Sequence, residues 1–332
     1  MLFFMVLVFV LVLNFLNNFF VWAVLELISV VVLLINLFQN EDNKGVFSLI
    51  NYFLVQAVAG VLVLGGVLFE VGFGQNYYFF SCPVLVISFY LLLVGLVLKL
   101  GLFPFYLQVP YIFGGLVGGQ CFVLSVYPKL IPYLLIGVLV PELDINILMG
   151  IAGVLVLVGG YQGIWVSSFQ ELFGWSTIGH SGWLFLSFLM GYYLFFFYFL
   201  VYAVTMYYLW VSFLGGMISF FLGGVLGLGG QKMLSVFYFL LVGGLAPMGG
   251  FLLKLMVVKG MMGSMGVVYS FFLLILGTGS VIFYVRMMQF LYNVNHNFLS
   301  LRNLGKKQIL LVKGDFYLMG FVVFLMMGLL FS

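Results

Sequence analysis

Five ionisable side chains stand among apolar neighbours: Glu26 in "WAVLELISV", Lys99 in "LVLKLGLFPF", Lys129 in "VYPKLIPY", His180 in "STIGHSGW" and Lys254 in "GGFLLKLMV". An amine, a carboxylate and an imidazole share one kind of chemistry: each can take up and give back a proton. A lysine at the centre of an apolar span costs about 2.5–3.5 kcal/mol, so the set costs on the order of 10 kcal/mol, comparable to the net stability of a domain. A scaffold would gain by replacing these residues with leucine. Snorkelling is the competing explanation, since a lysine near a helix end can reach the headgroups. Lys259 and Arg286 fit it, whereas Lys99 and Lys254 sit deeper.

Prolines gather around the same lysines. Pro104 follows Lys99, Pro128 and Pro132 bracket Lys129, and Pro247 precedes Lys254 within "GGLAPMGGF". Proline removes a backbone donor and frees a carbonyl one turn earlier. In a bilayer, a freed carbonyl is tolerated where protein or water satisfies it. Broken helices beside buried charges are what a hydrated ion path requires; ordinary proline kinks are the competing reading. His180 lies with Ser176 and Thr177 on one helix, either as a proton relay or as a histidine hydrogen-bonded to a neighbour. Glu171, near the start of that helix, is read as facing the aqueous side. The aromatic stretch "GYYLFFFYFLVYAVTMYYLW" reads as lipid-facing or interfacial. No haem-type histidine pair, cysteine cluster or dinucleotide fingerprint is present, so no bound cofactor or redox centre is expected.

The elements that must position these groups are set by composition. Of 332 residues, 66% are hydrophobic and 6% charged, against about 25% charged in soluble domains. The mean hydropathy is +1.33. The chain is therefore expected to be an all-α polytopic membrane protein. Apolar residues come in long unbroken runs, which excludes an alternating β-barrel. Cys82 and Cys121 lack ligand spacing, so neither a metal site nor a disulfide is expected. The N-terminal run has no basic region or cleavage site and reads as a retained first span. Threonine occurs only at Thr177, Thr205 and Thr278, while residues with T- and G-rich codons dominate. This pattern points to a strand-biased organellar genome.

Breaking the hydropathy at polar and turn clusters predicts one transmembrane domain over 1–332. It contains about eleven spans: 2–16, 19–38, 47–70, 83–106, 114–140, 145–163, 169–190, 192–222, 235–260, 265–289 and 315–331. Gly191 is the only break between two long apolar stretches. "LGGVLGLGGQ" reads as a loop, because it lacks the ending of a phosphate cradle. Loops after even-numbered spans hold Lys44, Lys232, Arg302, Lys306, Lys307 and Lys313, and the opposite loops hold Glu70, Glu142 and Asp144. The positive-inside rule then places the N-terminus in the matrix and the C-terminus in the intermembrane space.

"LKLGLFPFYLQVPYIFGG" followed by "YPKLIPYLLIG" resembles subunit 2 of mitochondrial NADH dehydrogenase, the antiporter-like family of respiratory complex I. The family pattern Lys-Leu-Gly-x-x-Pro-Phe-His-x-Trp-Val-Pro is matched by Lys99, Leu100, Gly101, Pro104, Phe105, Val109 and Pro110, and Trp-Gln-Lys-Leu-Ala-Pro by Lys129, Leu130 and Pro132. "WSTIGHSGW" is similar to the family's Tyr-Ser-Ser-Ile-x-His-Met-Gly-Trp through Ser176, Ile178, His180, Gly182 and Trp183. "GGLAPMGGFLLK" is similar to another family stretch that ends on Lys254, and "YFLVQAVAG" to Tyr-Phe-Leu-x-Gln-Ala. The chain departs at Gln170 and Glu171, where the family has Arg-Lys, at Tyr106, where it has His, and at Gln108, where it has Trp. Glu26 lies on the second span rather than the fifth, so the first three family helices are expected to be absent, as in shortened animal members.

The resemblance implies a membrane-arm subunit of NADH:ubiquinone oxidoreductase in the mitochondrial inner membrane. Its helices would be broken near Lys99 and Lys254. It would translocate protons through Glu26, Lys99, Lys129 and Lys254, with His180 as a possible relay, driven by redox chemistry in other subunits. Glu26, ionised and close, would keep Lys99 charged. Weakening that pair would push the proton to Lys129 and on to Lys254 for release outside. Partners would be other membrane-arm subunits and phospholipids, and no nucleic acid; by its charge, the Arg302–Lys313 stretch reads as a contact for cardiolipin or a matrix-facing subunit, or as a solvated loop. The rival readings are a structural spacer and a stand-alone cation/proton antiporter; the latter would want intramembrane aspartates, which the spans lack.

Overall fold

The computed structural model describes residues 18–38, 43–74, 83–116, 118–139, 145–166, 168–221, 243–244 and 249–297. The expected spans 2–16 and 315–331, the "LGGVLGLGGQ" loop, Pro247 and the basic stretch Arg302–Lys313 lie outside these residues. The described residues are all-helical: α1 Asn18–Phe38, α2 Asn43–Gly74, α3 Pro83–Leu100, a 3₁₀ turn Phe105–Leu107, α4 Gln108–Gly114, α5 Gly118–Val126, α6 Leu130–Leu139, α7 Ile145–Gln162, α8 Phe169–Met190, α9 Tyr192–Phe221, α10 Gly249–Met265 and α11 Val267–Asn297. Among the described residues, six stretches are long and apolar enough to cross a membrane: Phe19–Phe38, Asn43–Glu70, Ile87–Gly114, Gly119–Gly137, Ile145–Gln162 and Val267–Val285. This is the architecture of a polytopic membrane protein.

The outer faces show what solvent the helices meet. Along α1, Leu25, Ile28, Val32 and Asn36 are buried, whereas Leu27, Val30 and Leu34 are exposed. These two sets follow the helical repeat on opposite sides. An apolar stripe of this kind would be a liability in water and is the surface that acyl chains cover.

Packing divides the chain into two compact units: Met1–Ile151 with Ser168–Gly174, and Ala152–Ser167 with Trp175–Ser332. In the first unit the chief pairs are α2 with α3, α1 with α2, and α3 with α6. In the second, α7, α8 and α11 meet through glycines. A Cβ at Gly159 of α7 would overlap the Gly179 backbone of α8, and one at Gly160 would lie 3.2 Å from Ser280 N of α11. Small residues let membrane helices approach this closely where no hydrophobic effect drives them together.

Several bounds differ from those read off hydropathy, each for a physical reason. The stretch expected as 83–106 stops at Leu100. Gly101 has φ +64, and its amide donates to Leu98 O at 3.1 Å while Leu102 N donates to Val97 O at 3.0 Å. This hydrogen-bond pair is a glycine-terminated Schellman motif, reinforced by the buried Val97 and Leu102 side chains. The helix therefore ends on Gly101, before Pro104 can act, and Pro104 lies in the turn that follows. The stretch expected as 114–140 is interrupted at 127–129. Pro128 sits in that turn, while Pro132 lies in the first turn of α6, where proline is tolerated. Glu70 lies inside α2, which continues to Gly74, rather than in a loop. Glu171 lies in the first turn of α8. The join at Gly191, with φ +142, is one residue long between α8 and α9.

Candidate functional site

In the first unit, Lys99 Nζ donates to Glu26 Oε1 at 2.6 Å; the lysine side chain is 3% exposed and the glutamate 27%. Glu26 comes from the middle of α1 and Lys99 from the last turn of α3. A cation at a helix C-terminus is favoured by the unpaired carbonyls there. Two carbonyls of this last turn take side-chain donors: Gln56 Nε2 of α2 reaches Lys99 O at 3.2 Å, and Gln108 Nε2 of α4 reaches Leu98 O, which also accepts from Gly101 N, at 3.5 Å. The break that would otherwise be costly in a bilayer is satisfied by protein. Gln108 stands where the resembling family has Trp, so this chain meets one carbonyl with an amide of its own.

The carboxylate is seated by a glycine. A Cβ at Gly60 of α2 would overlap Glu26 Oε1. Trp22, one turn before Glu26, donates from its indole Nε1 to Gly60 O at 2.9 Å. The α1 helix is thus fixed against α2 at the residue that must stay bare for the carboxylate to reach Lys99. Ser29 Oγ donates to Glu26 O at 2.7 Å and lies 3.5 Å from Oε2.

Lys129 occupies the turn between α5 and α6 and is buried. Its amide donates to Val126 O at 3.4 Å, and its carbonyl accepts from Tyr133 N at 3.2 Å, opening α6. Glu171 is exposed, and its methylene carbon packs close to Gly114.

The second unit holds His180 and Lys254. Lys254 lies on α10 and is 2% exposed. Its ammonium donates to Gly243 O at 3.0 Å and to Ser280 Oγ of α11 at 3.0 Å. It also stands 5.9 Å from the centroid of the Trp183 ring of α8, a cation–π contact. Ser280 Oγ in turn donates to Gly277 O at 2.7 Å, which points its lone pairs toward the amine. Among the described residues, no carboxylate lies within ion-pair distance of Lys254. Lys259, five residues further along α10, is exposed.

His180 is buried on α8, and its Nδ1 lies 3.2 Å from Tyr198 Oη of α9. The Tyr202 ring sits with its centroid 5.1 Å from the imidazole. The aromatic stretch therefore has two faces. Tyr193 and Leu200 point outward, while Phe195, Tyr198, Phe199, Tyr202 and Met206 are buried. Tyr198, Ser280 and Gly60 were not singled out as site residues from sequence. The inward face of α9 carried a signal in its spacing, 195, 198, 199, 202 and 206, which is helical.

No family model matches the chain. NADH-ubiquinone oxidoreductase chain 2 of the sea star Pisaster ochraceus is 34% identical over 141 residues, which is 42% of this chain and 40% of that one. The same-named chain of the earthworm Lumbricus terrestris is 26% identical over 281 residues, covering 80% and 77%. The matched stretch thus spans less than half the length of the sea star protein and about three quarters of the earthworm protein. Among solved structures, a chain of respiratory complex I from Thermus thermophilus with bound aureothin superposes with a TM-score of 0.68 at 18% identity, covering 82% of this chain and 65% of that one. A chain of the membrane-bound sulfane sulfur reductase, an archaeal respiratory membrane complex, gives a TM-score of 0.72 at 14% identity, covering 92% and 67%. In sequence the chain resembles NADH-ubiquinone oxidoreductase chain 2, and in fold it is like a chain of respiratory complex I.

Proposed function

We propose that the chain is a membrane-arm subunit of a proton-translocating NADH:ubiquinone oxidoreductase. In this reading it sits in the mitochondrial inner membrane, beside other membrane-arm subunits and phospholipid, with the Lys44 end of α2 toward the matrix. The carriers are Glu26, Lys99, Lys129 and Lys254, with His180 as a relay, and the redox chemistry is done by other subunits. The observation that carries this reading is the Glu26–Lys99 pair at the capped end of a helix inside an apolar span. Lys99 would exchange its proton against one charged partner, the Glu26 carboxylate 2.6 Å away. A small displacement of Glu26 therefore decides whether Lys99 keeps its proton. Coupling requires that the driving event act differently on the closed and opened pair, and the two partners stand on different helices.

Lys99→Met in the intact assembly tests this reading. The variant should assemble with normal subunit content and lose redox-driven proton movement across the membrane. A fully active assembled variant would overturn the reading.

A structural spacer is the second reading. It is favoured by Lys254, whose ammonium is held by two oxygens and an indole in the manner of an anchor. Lys254→Met separates the two: an anchor's loss lowers the amount of assembled complex, whereas a carrier's loss lowers proton movement per assembled complex.

A further inference from the structure

The α8–α9 hairpin brings one phenol onto the imidazole that lies in the middle of α8. Tyr198 Oη is 3.2 Å from His180 Nδ1, both side chains are buried, and the Tyr202 ring covers the same imidazole from the next turn of α9. Phe188 and Phe195 meet edge to face with centroids 5.3 Å apart across the single-residue join at Gly191, which fixes the register of the hairpin.

The chemical type of this partner matters. A phenol hydroxyl both donates and accepts. Toward a neutral imidazole whose Nδ1 is unprotonated, Tyr198 donates. Toward an imidazolium, whose Nδ1 carries hydrogen, the same oxygen accepts. A carbonyl in that place would serve only the protonated nitrogen, and an amide N–H only the bare one. In a buried site, an unmet polar group is expensive. A two-way partner therefore lets the histidine change charge with no heavy atom moving. We infer that Tyr198 is a positioning residue for His180, holding the ring in one orientation in both of its charge states so that a proton can arrive and leave at one place. This deepens the proposed function and rests on His180 acting there as a relay.

The test is Tyr198→Phe in the intact respiratory assembly reconstituted into vesicles. Electron transfer, proton movement and the solvent isotope effect are measured on the same preparation. Phenylalanine keeps the ring, whose centroid lies 6.4 Å from that of the imidazole, so subunit content reports packing and turnover reports the hydroxyl. The expected result is normal assembly, redox-driven proton movement lowered about fivefold, and a larger solvent isotope effect. Tyr193→Phe, on the outward face of the same helix, should leave the rate within about twofold. A Tyr198→Phe variant that pumps at the parental rate, while His180→Phe does not, overturns the inference and leaves the relay standing. A Tyr198→Phe variant that fails to assemble assigns the hydroxyl to folding and overturns it too. If both Tyr198→Phe and His180→Phe pump normally while Lys99→Met is inactive, the relay falls and the inference falls with it. If Lys99→Met is also fully active, it is the proposed function that has failed.

Discussion

Lys99 and Lys254 are both buried amines on helices of an apolar chain, yet they are held by opposite means. Lys99 has a full counter-charge 2.6 Å away, on a neighbouring helix. Lys254 has a carbonyl, a hydroxyl and an indole face, all neutral and all within its own unit. A counter-charge is strong and can be withdrawn by moving one helix. Dipoles are weaker and fixed in place. Under the proposed function, Lys99 would be the amine whose charge answers to a partner on another helix, and Lys254 the one whose surroundings stay the same.

The largest effect expected from this contrast is at Glu26. Glu26→Gln leaves an ammonium with no counter-charge; removing one partner of a fully buried pair costs about 3–5 kcal/mol, and less here because Glu26 is 27% exposed. Proton movement per assembled complex should fall about tenfold or more. Adding Lys99→Met to Glu26→Gln removes the stranded charge, so the double variant should resist thermal unfolding better than Glu26→Gln alone. A double variant less stable than the single would show that the two side chains do not answer to each other, and the contrast with Lys254 would be lost.

The seat of the carboxylate comes next. Gly60→Ala places a methyl where Glu26 Oε1 now lies, so the carboxylate must leave Lys99 or α1 must shift. Coupled turnover should fall by several-fold, about half the free-energy effect of Glu26→Gln. Gly65→Ala, on the same helix and with nothing within 4 Å of the new methyl, is the control and should be silent. Equal losses at both positions would mean that helix propensity or general packing is responsible, not the seat.

The charges were the legible part of this site. Glu26, Lys99, Lys129, His180 and Lys254 stand out because each contradicts the apolar run around it, and an apolar run is what a membrane helix needs. The all-helical membrane fold was legible for the same reason. What positions the charges was harder to read. The prolines beside the lysines point to broken helices, but after Lys99 it is Gly101 that comes first along the chain, and its left-handed conformation ends the helix before Pro104. Tyr198 stands in a stretch that reads as lipid-facing or interfacial, since a tyrosine suits a bilayer surface as well as a buried site and only helical phase separates the two. Ser280 and Gly60 look like filler in an apolar helix. Their roles depend on which neighbour arrives opposite them, and that is set by tertiary packing.

A smaller effect is expected at Ser280. Ser280→Ala removes one of the two oxygens that hold Lys254, while Gly243 O and the Trp183 face remain. A hydrogen bond to a charged group contributes about 1.5–3 kcal/mol, but two partners remain and water can take the place of the hydroxyl, so proton movement should drop by only about twofold. Because Lys254 is held by several weak contacts, losing one should hurt less than Glu26→Gln hurts Lys99. If Ser280→Ala matched Glu26→Gln, the second site would depend on one partner after all, and the distinction between withdrawable and fixed stabilisation would disappear.

The smallest effect sharpens the comparison from its other end. Lys259 shares α10 with Lys254 and has the same side chain, but five residues turn it well round the helix, and it is exposed while Lys254 is 2% exposed. An exposed lysine can carry its ammonium along an aliphatic stem to the headgroups, so its charge is already met by water and lipid phosphate. Lys259→Gln should change stability by no more than about 0.5 kcal/mol and leave turnover at the parental level. The measurement is proton movement in the same vesicles used for Lys254→Met. A loss at Lys259 equal to that at Lys254 would mean that α10 responds to its total charge and not to one enclosed amine, and burial would then no longer be what separates a carrier from a surface lysine.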